Sequence, residues 1–150
     1  MAFLRYAAVA APLALAGALL STPAWSQFAK PEDAIKYRQS AMFLMSNHLG
    51  RLAAMARGDR PFDAAAAQTS ARTIDTLSRV VWDGFVPGTT TQRARADIWS
   101  NAADFRAAQE RMVGDASKLS AAAGSLETLR PAVGALGASC KACHDKFRVD

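Results

Sequence analysis

The chain has 150 residues, 51% of them hydrophobic, with 18 Lys+Arg against 13 Asp+Glu for a formal net charge of +5. That length allows one ordinary domain and argues against two independent cores, and the apolar fraction excludes wholesale disorder. The basic residues form no tract and no pattern interleaved with aromatics, so nothing suggests nucleic-acid binding; abundant Ala with few β-branched residues favours helix over sheet.

Met1 to Tyr6 carries one positive charge, Arg5, and Ala7 to Leu20 follows as an uncharged apolar run of 14 residues. A bilayer span needs about 20 residues, so this run suits the apolar region of a signal peptide. Ser21-Thr22-Pro23 breaks it, and Ala24-Trp25-Ser26 supplies small residues on either side of Trp25. Cleavage is predicted after Ser26, with Ala24 as second choice, and residues 27–150 are expected in the periplasm. No other segment of the sequence could span a membrane.

Lys30-Pro31-Glu32-Asp33 reads as a helix start, with Pro in the first turn and acids at the positive end of the macrodipole. Ile35, Arg38, Met42, Met45, Leu49 and Leu52 then recur at steps of three and four, which defines one helical face. Gly58-Asp59-Arg60-Pro61 ends it, and Asp63 can cap a second helix with the stripe Ala66, Ser70, Thr73, Leu77 and Val80. Asp83 to Ala96 is the long loop. Asp97 is expected to open a third helix, with Ile98, Ala102, Phe105, Gln109, Met112, Ala116 and Leu119 in register. Gly124 breaks it and Ser125 can cap a fourth, whose stripe is Leu126, Leu129, Val133, Leu136, Cys140, Cys143 and Phe147. Pro131 should kink that helix, or regular helix starts only near it. Four helices without a strand pattern predict an all-α, up-down-up-down four-helix bundle.

The chemistry is concentrated in Cys140-Lys141-Ala142-Cys143-His144, the C-x-x-C-H signature of covalent haem attachment. Thiols one helical turn apart point the same way and can reach two neighbouring vinyl groups of one porphyrin. The adjacent imidazole is then offered to the iron. Because Cys140 and Cys143 continue the inward stripe, the macrocycle is expected inside the bundle near one end. A thioredoxin-like motif would need a βαβ context, a disulfide at this spacing suits a regular helix poorly, and a zinc site would have only His48 as a further histidine.

A haem motif following three amphipathic helices resembles the cytochrome c′ family, the class II c-type cytochromes. The stretches that carry the resemblance are Tyr37-Arg38-Gln39-Ser40-Ala41-Met42, Pro87-Gly88-Thr89, Ile98-Trp99-Ser100 and Gly137-Ala138-Ser139-Cys140 through Asp145. The resemblance covers essentially all of residues 27–150. It implies one covalent haem c per chain with His144 as the only axial protein ligand, a five-coordinate iron, electron transfer, and binding of NO and CO. It also implies that Met42 covers the distal face, that Arg38 and Gln39 contact the haem propionates with Arg95 as a further candidate, and that Phe85 lines the pocket. Phe147 and Arg148 are placed beside the ligand histidine.

Several readings compete at single residues. Met42 is either an apolar cover or, as in the cytochrome c-556 type, a thioether sixth ligand of a low-spin electron carrier. His48 lies about 240° around the first helix from Met42 and reads as a solvated surface residue, while Trp82 and Trp99 read as packing. The first-helix stripe offers no His or acid to assist O–O cleavage, which argues against an enzyme. The small-residue surface Ala64 to Ala67 with Ala71, together with the resemblance, suggests a homodimer through the first two helices.

Overall fold

A computed structural model describes residues 27–149; the expected signal segment, 1–26, lies outside them. Helix α1 spans Pro31–Arg57, with Pro31 in its first turn beside Glu32 and Asp33. It ends at Gly58, whose φ of 87° is left-handed backbone that glycine alone adopts freely. Asp63 Oδ1 accepts from the amides of Ala65 (2.9 Å) and Ala66 (3.0 Å) and so starts α2, Ala64–Val80. A 3-10 turn, Val81–Gly84, leads into the long loop. The four-residue α3, Asp97–Ser100, precedes α4, Ala102–Ala122. Ser125 Oγ accepts from the Thr128 amide at 3.3 Å and starts α5, Leu126–Phe147.

The third helix is not continuous from Asp97. Asn101 leaves helical geometry (φ −118°, ψ 53°), and its Nδ2 donates to Asp104 Oδ2 at 3.0 Å. A short polar side chain that bonds locally competes with the helical ladder, and the break leaves Ala102 exposed rather than in the buried row. Pro131 does not delay α5, which runs through it from Leu126. The carbonyl it deprives, four residues back, belongs to exposed Glu127, where water can serve it.

Helix α2 is rotated from the expected stripe. The structure buries Ala67, Ser70, Ala71, Ile74 and Ser78, whereas Ala66 and Val80 are exposed. Ile74 is the large apolar residue that the core takes, and it carries Ala67 and Ala71 inward with it.

The four long helices close into a ring in which α1 touches α2 and α5, and α4 touches the same two. Inside it Leu52, Ile74, Leu119, Leu129 and Leu136 are fully buried, each worth about 1.5–3 kcal/mol relative to exposure. A smaller cluster of Ile98, Phe105 and Phe147 lies apart from this core and borders the cavity described below.

Across the α4–α5 seam Ser139 Oγ donates to Asp115 Oδ2, and Lys118 Nζ lies 3.3 Å from Oδ1. The Ser139 hydrogen bond holds the Asp115 carboxyl below the usual carboxylate range; burial pushes it up by less, and Lys118 and Arg111 pull it further down. A depressed folded value means the stabilisation is complete above the unfolded carboxylate value, about 3.9, and is lost as pH falls through the folded one. Ser139→Ala is therefore expected to cost about 1–3 kcal/mol at neutral pH. The difference from the parent protein should shrink as the carboxyl protonates. Urea unfolding at neutral pH and again at strongly acidic pH checks this.

Candidate haem site

On α5, Cys143, His144 and Phe147, with Arg148 just past its end, face a cavity of about 510 Å3. Cys140, one turn earlier, is half-buried against the main core rather than in the cavity wall. Helix α1 supplies the facing wall with Arg38, Gln39, Met42, Phe43 and Ser46, and the turn and loop supply Trp82, Phe85, Thr91, Arg93 and Ala94. Ile98 and Phe105 complete it. The structure thus gathers eight of the ten residues singled out in the sequence: Arg38, Gln39, Met42, Phe85, Cys143, His144, Phe147 and Arg148. Arg95 lies outside the wall: its Nε donates to the Arg148 carbonyl at 3.1 Å and its amide to Phe147 O at 3.0 Å, so it straps the loop to the end of α5.

The aromatic lining is a contiguous packed group. Phe105 is the hub, with ring centroids 5.9 Å from Trp82, 5.1 Å from Phe85 and 5.2 Å from Phe147. Two of these contacts, to Trp82 and Phe147, are edge-on, an arrangement worth about 0.5–1.5 kcal/mol per pair beyond simple burial. Phe105 stood out in the sequence only as one member of a stripe, and Trp82 only as packing.

Arg38 is 3% exposed, and its fork is committed. Nη1 donates to Gly84 O (2.8 Å) and Thr89 Oγ1 (2.6 Å), and Nη2 donates to Thr89 O. The guanidinium carbon also lies 5.0 Å from the Phe85 ring centroid, a cation–π contact. Burial pulls the Arg38 pKa down from the ordinary guanidinium value, yet arginine stays charged at any working pH. Three of its five N–H donors are thus paired with loop oxygens. Gly84 permits the close approach: a Cβ there would stand 2.8 Å from Ala34 O and 2.8 Å from Arg38 Cβ.

His144 Nδ1 lies 3.4 Å from Arg148 Nη1. Arginine only donates, so in the neutral ring this contact casts Nδ1 as acceptor. A histidine that ligates iron through Nε2 keeps its proton on Nδ1 and donates it, so this contact with a donor-only guanidinium is not the hydrogen bond that outer partners of metal-binding histidines accept. Burial pushes the Cys140 and Cys143 thiols up, so both are held neutral, unlike the thiolate of a redox C-x-x-C site. Among the described residues no group of three or more His, Cys, Asp or Glu side chains is assembled for a protein-only metal centre. His48 faces a separate groove between α1 and α2. It points away from the haem-motif cavity as expected, but it is half-buried rather than solvated, and its Nδ1 is buried without a partner among the described residues.

Among the described residues the wall is mostly apolar, contains the motif histidine and one motif cysteine, and carries three guanidinium groups with no carboxylate. That donor set fits a flat apolar macrocycle bearing two carboxylates, which is what haem is. Cys140 and Cys143 would hold it by thioethers, and His144 would supply an axial nitrogen. The group itself supplies the iron redox chemistry; the protein supplies ligation, burial and charge.

Comparison with known proteins agrees with this geometry. A family model described as Cytochrome C′ matches residues 33–148. The cytochrome c′ of Alcaligenes xylosoxydans xylosoxydans is 51% identical over 124 residues, covering 81% of this chain and 98% of that protein. The cytochrome c′ of Rubrivivax gelatinosus is 46% identical over 127 residues, with coverages of 81% and 98%. Solved structures of Alcaligenes xylosoxidans cytochrome c′ variants, one a nitric oxide complex and one with carbon monoxide bound, match with a TM-score of 0.78 at 49% identity. Each covers 83% of this chain and 100% of its own. Proteins of this kind carry covalent haem c, and Cys140 and Cys143 fit attachment of the C-x-x-C-H type. From the cavity, the motif within it and a match across the whole bundle, it follows that this chain belongs to the cytochrome c′ family.

Proposed function

We propose that this chain is an exported haem protein whose iron is five-coordinate, with His144 its one axial protein ligand, and that it transfers electrons and binds NO and CO. The observation that carries this reading is the lining of the cavity: His144 is its sole imidazole, and α1 opposite offers Met42 rather than a second nitrogen ligand. NO and CO complexes of the Alcaligenes relatives support the gas binding. Among the described residues the lining holds no Asp or Glu to move a proton during O–O cleavage, which supports a role in binding and electron transfer. Cleavage after Ser26 would release the described bundle into the periplasm.

Met42 gives the competing reading its footing, because a thioether in the same cavity can coordinate iron and make a low-spin carrier of the cytochrome c-556 type. The absorption spectrum of the reduced protein with and without CO decides between them. A marked change on adding CO is expected. A sharp low-spin α band that CO leaves untouched would sink the five-coordinate site.

The protein pairs as a homodimer through α1 and α2. The support differs from the small-residue surface expected, since Ala67 and Ala71 are buried in the chain's own core. It is instead a groove along these two helices lined by Phe28, Tyr37, Leu44, Leu77 and Val80, in which Leu44 is 45% and Val80 38% exposed. Sedimentation at micromolar concentration should give twice the chain mass, and Leu44→Glu should shift it toward the monomer. A parent protein that sediments as a monomer refutes the pairing.

A further inference from the structure

We infer that Arg93, in the loop between the 3-10 turn and α3, is a haem-carboxylate ligand of this chain. Three guanidinium groups line the cavity: Arg38, Arg93 and Arg148. Three of the five Arg38 donors go to Gly84 and Thr89, and Arg148 lies against His144 Nδ1. Arg93 is exposed, and its side chain makes no hydrogen bond or ion pair among the described residues.

Its backbone, by contrast, is fixed from two sides. The Arg93 amide donates to Thr91 Oγ1 at 3.3 Å, and its carbonyl accepts from the Val149 amide at 2.9 Å. The next residue, Ala94, pairs with Arg148 in an isolated bridge. An anchored backbone whose cationic head makes no bond among the described residues, at the lip of a cavity whose described lining holds no carboxylate, is a preorganised carboxylate receptor. Haem brings two carboxylates to that cavity. The charged and hydrogen-bonding groups that line the cavity with Arg93 are Arg38, Gln39 and Ser46 from α1, His144 from α5 with Arg148 just past its end, and Thr91 from the loop. Arg95, two residues on and of equal charge, is turned to the Arg148 carbonyl.

A guanidinium against a haem propionate favours its ionised form and lowers its pKa. The inference rests on haem carriage, not on the coordination number of the iron. The test uses the haem-loaded protein and its Arg93→Gln and Arg93→Lys variants, with Arg72→Gln as control, since Arg72 is exposed on α2 and outside the cavity lining. The midpoint potential is followed from about pH 4 to about pH 9, together with the redox-difference infrared bands of the haem carboxylates. Arg93→Gln should displace the pH-dependent segment of the potential upward by about one pH unit and shift a carboxylate band. Arg93→Lys should move both less, and Arg72→Gln should leave both at the parent position. No displacement in Arg93→Gln, or an equal one in Arg72→Gln, overturns the assignment, since the second is what loss of a distant charge produces. If the glutamine variant fails to retain haem, the lysine variant decides: an unshifted carboxylate band there overturns the assignment. A parent-like absorption spectrum in the variants separates failure of this inference from failure of the haem site.

Discussion

Arg38→Ala is expected to lower the folding free energy by about 3 kcal/mol, because it strands buried loop acceptors as well as removing their donor. The Gly84 and Thr89 carbonyls and the Thr89 hydroxyl all face that fork, and Thr89 is itself buried, so water cannot readily replace the guanidinium. The urea midpoint should fall with an unchanged slope. Hydrogen exchange should quicken at the Thr89 amide, which donates to Val86 O at 3.1 Å. Arg38→Lys should recover only part of the loss, since a single ammonium cannot reproduce the planar fork that meets three oxygens. A loss below about 1 kcal/mol would mean that the loop holds its shape without α1.

The second large effect concerns ligand binding at the iron. Met42 lines the cavity on the α1 side, facing the wall that carries His144. On the five-coordinate reading its side chain must swing aside before CO can bind. Met42→Ala should therefore speed CO association at least about tenfold, the equivalent of 1.4 kcal/mol off the barrier, and tighten binding with the covalent haem retained. Unchanged CO kinetics would mean that another residue covers the iron. A change from low spin to high spin in the same variant would instead identify Met42 as the sixth ligand.

The caps and the haem motif were legible because they are local. Asp63, Ser125 and Gly58 each act on amides or carbonyls within a few residues, and the motif cysteines and histidine share one turn of one helix. The face of α2 was not legible, because Ala, Ser and Thr on adjacent stripes differ little in hydrophobicity and only Ile74 breaks the tie. Asn101 was hidden for a related reason: the Ile98–Phe105 spacing continues across a break that depends on where one amide side chain turns. The loop was opaque altogether. Thr89 meets Arg38 across 51 positions, and Arg93 and Arg95 face different partners although two residues apart, so no periodicity separates a cavity cation from a strap. The resemblance named Arg95; the fold brings Arg93 to the wall.

The strap from Arg95 to Arg148 spans 53 positions and bears on how the protein is made. The cavity borrows one wall from α1 and another from the end of α5, with the loop clasped to both. A chain that folds from its N-terminal side can therefore form α1 and α2 early, but it has no haem pocket until the residues of α5 have joined them. Contacts so distant in sequence form late, after the loop-closure entropy has been met. The thiols of Cys140 and Cys143 consequently remain reachable during the interval before the clasp shuts. An attachment apparatus would meet an open motif helix rather than a finished bundle, and a variant that shuts the clasp faster should be loaded with cofactor less completely.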